Sequence, residues 1–563
     1  MPLPSLVAIV GPRWQSPRVA SEAAGGPRSG ARSSVAQSLA LALPLAIALL
    51  AAHAAWTWSL HPGIHQVRRG ELPGFDSYVY VAMAERPAIF TLPPWGYRLL
   101  TPALVHVLPM RTALGFRVVA LVSLIATAAC LALFLRRLGH GLGGQALGVA
   151  LFALCPFDGV FLQDPFLVDP LAVAFLAALL LAVESGAGLA TLALLALLGT
   201  AAKEVVLVVT PFVCWARRDQ TGTARALRDA VIVTLPAAAF EAVLRLRWPA
   251  AAALPAPRFD AEMGWALTAF TASTTAHWLL FGGIAPIALA GALHPSTRPY
   301  LRRYGSALVV LYFLPLAYTP LYPPLLLHLR AELQRYGFFA LPLLIPVAIG
   351  ALAWRPSATP LRPPPQGVAR GLDPRLAWAL TSTLIALPAI LLDPYRRGGV
   401  HGRDGPRILA LTRQSPRAAD ALRRGQAVTL DLDAEPFLTA FASRSAEAAR
   451  WALLAGWETR RGTETGETWM PGTTATVVVP VLASQPVRVV LTLSAPAEVG
   501  LRADVGGRRL GAARVGLEPS EAAFSVPAAA LARGENVLAL TADPPGGLRL
   551  HRLTLEPASE AQR

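Results

Sequence analysis

The chain has 563 residues, of which 54% are hydrophobic and 15% charged, with a mean hydropathy of +0.48 and a net charge of +16. That composition argues against an ordinary soluble enzyme and for a polytopic membrane protein. The basic residues occur in small clusters between apolar segments and form no single basic face, so a nucleic-acid partner is not indicated and membrane topology accounts for them better. Cys130, Cys155 and Cys214 all fall in apolar segments, which indicates neither a disulfide framework nor a cysteine zinc site. All but one of the 50 Lys plus Arg residues are Arg. The exception is Lys203.

Residues 1–34 are rich in Pro, Gly, Ser and Arg and lack a compact apolar region followed by a small-residue cleavage site. They read as a disordered cytoplasmic tail with no cleaved signal peptide. A first span is predicted near Val35 to Leu60. It is followed by the polar, aromatic stretch Gly74 to Leu100, GFDSYVYVAMAERPAIFTLPPWGYRLL. Tyr78, Tyr80, Trp95 and Tyr97 favour a membrane–water boundary. The spacing of Phe75, Val79, Ala82 and Met83 predicts a short helix lying on the membrane surface, with Asp76 at its start. Asp76 suits two roles there: capping the first helical turn, or acting as a catalytic carboxylate.

Spans are then predicted near Leu114 to Leu135, Leu142 to Phe157 and Pro170 to Val183. The loop PFDGVFLQDPFLVDP, with Asp158, Asp164 and Asp169, lies between the last two. These acids read mainly as loop-solvating or helix-capping residues; contact with an acceptor or a metal is the alternative. Gly188 to Trp215 has the length of one span, but a single crossing would leave Arg217, Arg218, Arg225 and Arg228 outside. Two short helices broken at Gly199 to Glu204 resolve the conflict. Such a break should face a hydrated, protein-lined cavity, and Lys203 and Glu204 sit in it as an obvious ion pair.

Further spans near Ala230 to Leu246, Thr275 to Leu293, Gly305 to Tyr318, Phe338 to Trp354 and Leu376 to Leu392 bring the total to about eleven. The N-terminus is then cytoplasmic and the C-terminus external. Arg is in excess on the segments so assigned to the cytoplasm, as the positive-inside rule requires, while acids concentrate outside.

Residues 393–425 read as a linker, and 558–563 as a short tail. From Gln426 to Pro557, runs such as ATVVVPVL, VRVVLTLS and LRLHRLTL between Gly, Pro and Asp turns predict a soluble antiparallel β-sandwich. The expected fold is therefore a polytopic α-helical membrane domain, residues 35–392, followed by an all-β sandwich, residues 426–557.

Four motifs in order carry a resemblance to a known family: Asp76 in GFDSYVYVAMAE, Arg98 in WGYRLLTPAL, Lys203 in AAKEVVLVVTP, and Arg330, Glu332 and Arg335 in HLRAELQRYGFFALPLLIP. Together they resemble the GT-C superfamily of bacterial membrane glycosyltransferases, over roughly residues 35–392. The resemblance implies transfer of a sugar from a polyprenyl-phosphate donor to a lipid, glycan or protein acceptor on the outer face of the inner membrane. It implies Asp76 as catalytic base, and Arg98, Lys203, Arg330 and Arg335 as cations for the donor phosphate. Tyr78, Asp164, Asp169, Glu204 and Glu332 would support the acceptor or these groups.

The departures are the lack of a DxD pair in the first loop and Ser77 where relatives often carry Gly, which leaves metal dependence open. A divalent metal is compatible with the acids, and no motif demands another cofactor. Arg330, Glu332 and Arg335 also fall at helical spacing, so surface contacts among them are an equal alternative.

The C-terminal part resembles jelly-roll, galactose-binding-like domains. Trp457 and Trp469 are candidates to stack on a sugar ring, or else core or hinge residues. Two other functions compete with a transferase. One is a transporter or flippase of a lipid-linked glycan, disfavoured by the lack of a visible internal repeat. The other is a non-catalytic membrane scaffold presenting the sandwich, which leaves the charged residues of the helical half without a task.

Overall fold

A computed structural model of the chain describes residues 34–60, 72, 75–87, 95–247, 284–293, 297–313, 329–352, 404–433, 450–453, 456–461, 466–545 and 547–558. The predicted N-terminal tail and the predicted span near Leu376 to Leu392 lie outside these residues. A helical N-terminal region is followed by a C-terminal all-β sandwich. Among the described residues, two helices contain stretches long and apolar enough to cross a membrane, Val35–Trp56 in α1 (Val35–Leu60) and α4 (Thr112–Arg137). The apolar helices α5 (Leu142–Ala153) and α8 (Leu189–Ala202) are shorter than the ~20 residues that a hydrocarbon layer requires. The described residues thus supply two clear apolar candidate spans, where the sequence analysis expects about eleven.

Side-chain contacts give the helices a common direction rule. At one end of the helical layer, Arg303 pairs with Glu184, the last residue of α7 (Asp169–Glu184), and approaches Asp219 in α10 (Arg218–Thr221). Tyr304 donates to the same Glu184, and its ring meets Phe134 near the end of α4. At the other end, Lys203 reaches Asp169, the first residue of α7. Helix α8 therefore runs toward the Lys203 end, and α9 (Val205–Trp215) returns to the Glu184 end. The 188–215 segment is a helical hairpin, divided where the sequence placed the break.

Gly199 lets the two arms approach. A Cβ there would lie 2.6 Å from Val206 Cγ1 and 3.1 Å from Phe175 Cβ. Gly199→Ala is expected to destabilise the protein by about 1 to 3 kcal/mol through overpacking. Gly143→Ala, where a Cβ meets nothing within 4 Å, should melt at or above the wild-type temperature. Equal melting of the two variants would contradict the close packing.

Helix α11 (Thr223–Arg247) rises again, with Arg245 over the Tyr97 ring at the Lys203 end. Helices α12 (Ala285–Ala292) and α13 (Arg298–Phe313) follow, and then α14 (Leu329–Leu352). Phe339 of α14 lies under Lys203, while Gly350 meets Thr297 at the opposite end. The core between these helices is apolar and continuous, running from Ala42 in α1 to Ile349 in α14.

Helix α2 (Phe75–Glu85) corrects one expectation. Every residue from Ser77 to Ala84 is buried, so this helix is enclosed by protein and presents no free polar face opposite its expected apolar one. One side meets Val105, Phe116, Phe166 and Val168, and Leu409 closes the cluster. Leu409 belongs to α15 (Asp404–Arg423), an amphipathic helix within the stretch expected as a linker. Arg413 of α15 makes two hydrogen bonds to Glu85, which raise its pKa, and Arg86 pairs with Glu535 in the sandwich. The sandwich is thereby joined to α2.

Among the described residues the sandwich has ten strands: β1 (Val428–Asp431), β2 (Glu458–Arg461), β3 (Gly466–Met470), β4 (Thr474–Val481), β5 (Val487–Ser494), β6 (Val499–Val505), β7 (Arg508–Val515), β8 (Ser520–Val526), β9 (Gly534–Asp543) and β10 (Leu548–Pro557). One sheet runs β2-β3-β10-β5-β8, with β1 also paired to β10, and the second runs β4-β9-β6-β7. All pairings are antiparallel. Alternating Leu548, Leu550, Leu553 and Leu555 point into the core, as a half-buried strand requires. The β6–β7 turn uses Gly506 and Gly507, both with positive φ, which a two-residue hairpin of matching twist demands.

Candidate functional site

The break between α8 and α9 is built from its charges. Lys203 is the C-cap of α8, in extended conformation, and Glu204 stands immediately before α9. A cation at a helix C-terminus and an anion at an N-terminus both oppose the partial charges found there. Asp169 likewise occupies the first turn of α7. These positions bring the carboxylate of one helix start to the ammonium of another helix end.

The pairing differs from the sequence expectation. The Lys203 Nζ donates to Asp169 Oδ1 at 2.6 Å, with Lys203 1% and Asp169 0% exposed. The Phe339 ring centroid is 5.2 Å from Nζ. Glu204 instead accepts a two-pronged contact from Arg98, Nε to Oε2 at 2.9 Å and Nη2 to Oε1 at 2.6 Å. The planar guanidinium fits a carboxylate in this way, and an adjacent backbone lysine would have to fold back sharply to compete. Arg98 Nη1 also donates to the Tyr80 hydroxyl at 2.8 Å.

Asp164 and Asp169 are buried, and not loop-solvating as expected. Ser77 Oγ donates to Asp164, 2.9 Å from each carboxylate oxygen. The loop acids and α2 are thus joined through the residue that follows Asp76. Asp76 is half-buried, inside the first turn of a helix that opens at Phe75, where a carboxylate is favoured by the helix dipole. Tyr78 is buried and its hydroxyl accepts from the Leu72 amide.

Arg98, Lys203, Asp164, Asp169 and Glu204 therefore gather at one end of the helical layer, next to α2. Ser77, Tyr80 and Phe339 join them without having been singled out as site residues. Ser77 and Tyr80 were visible in the same stretch as Asp76, but their polar partners are over 80 residues away in one case and on another element in the other. Arg330, Glu332 and Arg335 lie on α14 upstream of Phe339, and their side chains are outside the described residues, as is that of Asp158. No group of three or more His, Cys, Asp or Glu residues suited to a metal occurs among the described residues.

In the sandwich, Trp457 cannot stack on a ligand. It is buried in the core and donates its indole N–H to Thr476 O at 2.9 Å. Trp469 on β3 is half-buried, with its indole N–H bonded to Glu467 Oε2 at 2.9 Å. Arg549, opposite Trp469 in register, pairs with Glu467 and Asp433. These residues lie on the face of the six-stranded sheet that points away from the core.

No family model matches the chain, and no curated protein matches it. Three solved structures similar to about a quarter of the chain are the following. One is a GH26-CBM35 β-(1,4)-mannanase of Podospora anserina, 13% identical, with a TM-score of 0.18, covering 24% of this chain and 28% of that one. A second is the C-terminal CBM6 of LamC from Zobellia galactanivorans, 10% identical, with a TM-score of 0.16, covering 23% of this chain and 99% of the module. A third is the carbohydrate-binding module CBM6cm-2 of Cellvibrio mixtus lichenase 5A in complex with cellotriose, 9% identical, with a TM-score of 0.16, covering 23% and 98%.

Proposed function

We propose that the chain is a membrane glycosyltransferase that uses a lipid-phosphate sugar, with its site at the Lys203 end of the helical layer. The observation that carries this reading is the burial there of Asp164, Asp169, Lys203 and Arg98, with the half-buried Glu204 held by Arg98, beside the helix that holds Asp76. Burying that many ionisable groups is costly, and in a membrane setting such groups mark function. In this reading the helical layer crosses the hydrocarbon through bundled short helices, with the charged break of the α8–α9 hairpin enclosed by protein. Arg136, Arg137, Arg217, Arg218, Arg225, Arg228 and Arg303 crowd the opposite end, which is then cytoplasmic.

In this mechanism an acceptor hydroxyl gives its proton to Asp76 while its oxygen attacks the anomeric carbon. The bond from that carbon to the phosphate oxygen breaks, and the lipid phosphate leaves with inversion at the sugar. Arg98 and Lys203 each already hold a carboxylate, so their part is to set the positive side of a balanced site. The donor phosphate then draws on them together with Arg330 and Arg335 of α14, through charge-assisted hydrogen bonds.

Two measurements test this placement. Tags at residues 140 and 222 should report the cytoplasm, and tags at 70 and 450 the outside; an external residue 222 would refute the hairpin in the membrane. A polyprenyl phosphate at 100 times its Kd should raise stability by about 2.7 kcal/mol, read as a higher melting temperature. No shift at saturating lipid would count against a phosphate site.

The sandwich is proposed to bind glycan on its outer sheet face. Trp469 supplies an apolar ring beside the charged Glu467 and Arg549, a combination suited to the face and hydroxyls of a sugar. Trp469→Ala should abolish retention on a glycan affinity matrix while leaving the fold intact. Unchanged retention would remove Trp469 from binding.

A further inference from the structure

The outer face of the six-stranded sheet carries a second polar arrangement, built by three strands far apart in sequence. Ser494 ends β5, His551 lies in β10, and Asp433 follows β1 by two residues. Ser494 Oγ is 2.8 Å from His551 Nε2, and His551 Nδ1 is 2.5 Å from Asp433 Oδ2. The carboxylate at Nδ1 fixes the imidazole proton there. Nε2 is then the acceptor, and the serine hydroxyl is the donor.

This is the order of contacts that activates a serine: nucleophile to base, base to an orienting acid. Arg549 Nη2, 3.2 Å from Asp433 Oδ1, holds that acid in place. The backbone serves the same end. β10 has an irregularity between Leu550 and Arg552, so His551 is an extra residue opposite β5, a device that re-aims side chains. Ser494 and His551 are partly exposed, so a substrate reaches the hydroxyl from solvent.

We propose that Ser494, His551 and Asp433 form a serine-dependent ester-hydrolysing site, with Ser494 as nucleophile, His551 as general base and Asp433 as positioning residue. Ser494 Oγ bonds to the carbonyl carbon of an acyl ester as its proton passes to Nε2. The tetrahedral adduct collapses, the ester C–O bond breaks, and the departing alcohol takes the proton from His551. Water, deprotonated by the same imidazole, then releases the acid and restores the serine. Arg549 lies directly opposite Ser494 in register, with its guanidinium held by Asp433 and Glu467.

The substrate class follows from the neighbours. Trp469, Arg549 and Ser494 are in register on three adjacent strands, so the indole and the serine are ~10 Å apart at their Cα atoms. An open sheet face with an aromatic platform at that distance admits a bulky alcohol and a short acyl group, as in an acylated sugar. That choice of alcohol rests on the glycan-binding reading of Trp469, whereas the ester chemistry does not.

The test uses the full-length protein in detergent, a fluorophosphonate and p-nitrophenyl acetate. A single phosphonyl group is expected on Ser494 by peptide mass, with burst release of p-nitrophenol. Both should vanish in Ser494→Ala. Asp433→Asn should slow phosphonylation on the order of 100 to 10,000-fold with an unchanged melting temperature and an altered pH profile. Absence of label on Ser494 in folded protein, or ester cleavage that survives Ser494→Ala, overturns the proposal. Because the probe contains no sugar, its reaction is independent of whether Trp469→Ala affects glycan retention.

Discussion

Asp76→Asn is expected to lower sugar transfer by about 100 to 10,000-fold while the melting temperature stays near the wild-type value. An amide of the same size keeps a polar group in the first turn of α2 but cannot accept the acceptor's proton. The neighbouring contact from Ser77 to Asp164 provides an internal comparison. Ser77→Ala removes a hydrogen bond to a buried carboxylate and should lower stability, by about 1 to 3 kcal/mol. A transferase in which Asp76→Asn turns over at the wild-type rate has its base elsewhere.

Lys203→Met is expected to produce the second large effect, and it acts on stability. It removes the ammonium that donates to the buried Asp169 carboxylate, a loss expected to cost about 3 to 5 kcal/mol. Asp169→Asn removes the same ion pair from the other side and should be comparably damaging. The double variant Lys203→Met with Asp169→Asn should recover most of the loss, since neither group is then charged, and the coupling is read from the melting temperatures of all four proteins. Glu204→Gln should rescue Lys203→Met far less, because the hydrogen bonds of Glu204 run to Arg98. Equal rescue by Glu204→Gln would reverse the pairing described above. If the double variant melts normally yet transfers no sugar, Lys203 also serves the reaction.

Local patterns in the sequence were informative where the physics is local. Alternation gave the strands of the sandwich, and the cost of leaving four arginines outside gave the break near Lys203. Partner choice was not legible in this way. Lys203 and Glu204 are neighbours in the chain, yet their side chains leave in different directions at a helix break and find Asp169 and Arg98, 34 and 106 residues away.

The burial of α2 was hidden for a similar reason. Its apolar spacing fits a surface helix equally well, and only α15, packing Leu409 onto it from the stretch expected as a linker, encloses it. Trp457 and Trp469 sit twelve positions apart in one polar run, but a single indole donor to Thr476 separates a core residue from one on the outer face. Ser494, His551 and Asp433 carry no contiguous motif at all, because β-sheet order brings them together.

The most direct test of the proposed transferase is incorporation of labelled sugar from a panel of polyprenyl-phosphate donors by the purified full-length protein in detergent. Transfer is expected from at least one donor, with inverted anomeric configuration, and it should fall at least about 100-fold in Asp76→Asn of equal melting temperature. Absence of transfer from every donor by wild-type protein that binds polyprenyl phosphate, or transfer that Asp76→Asn leaves unchanged, would contradict the account.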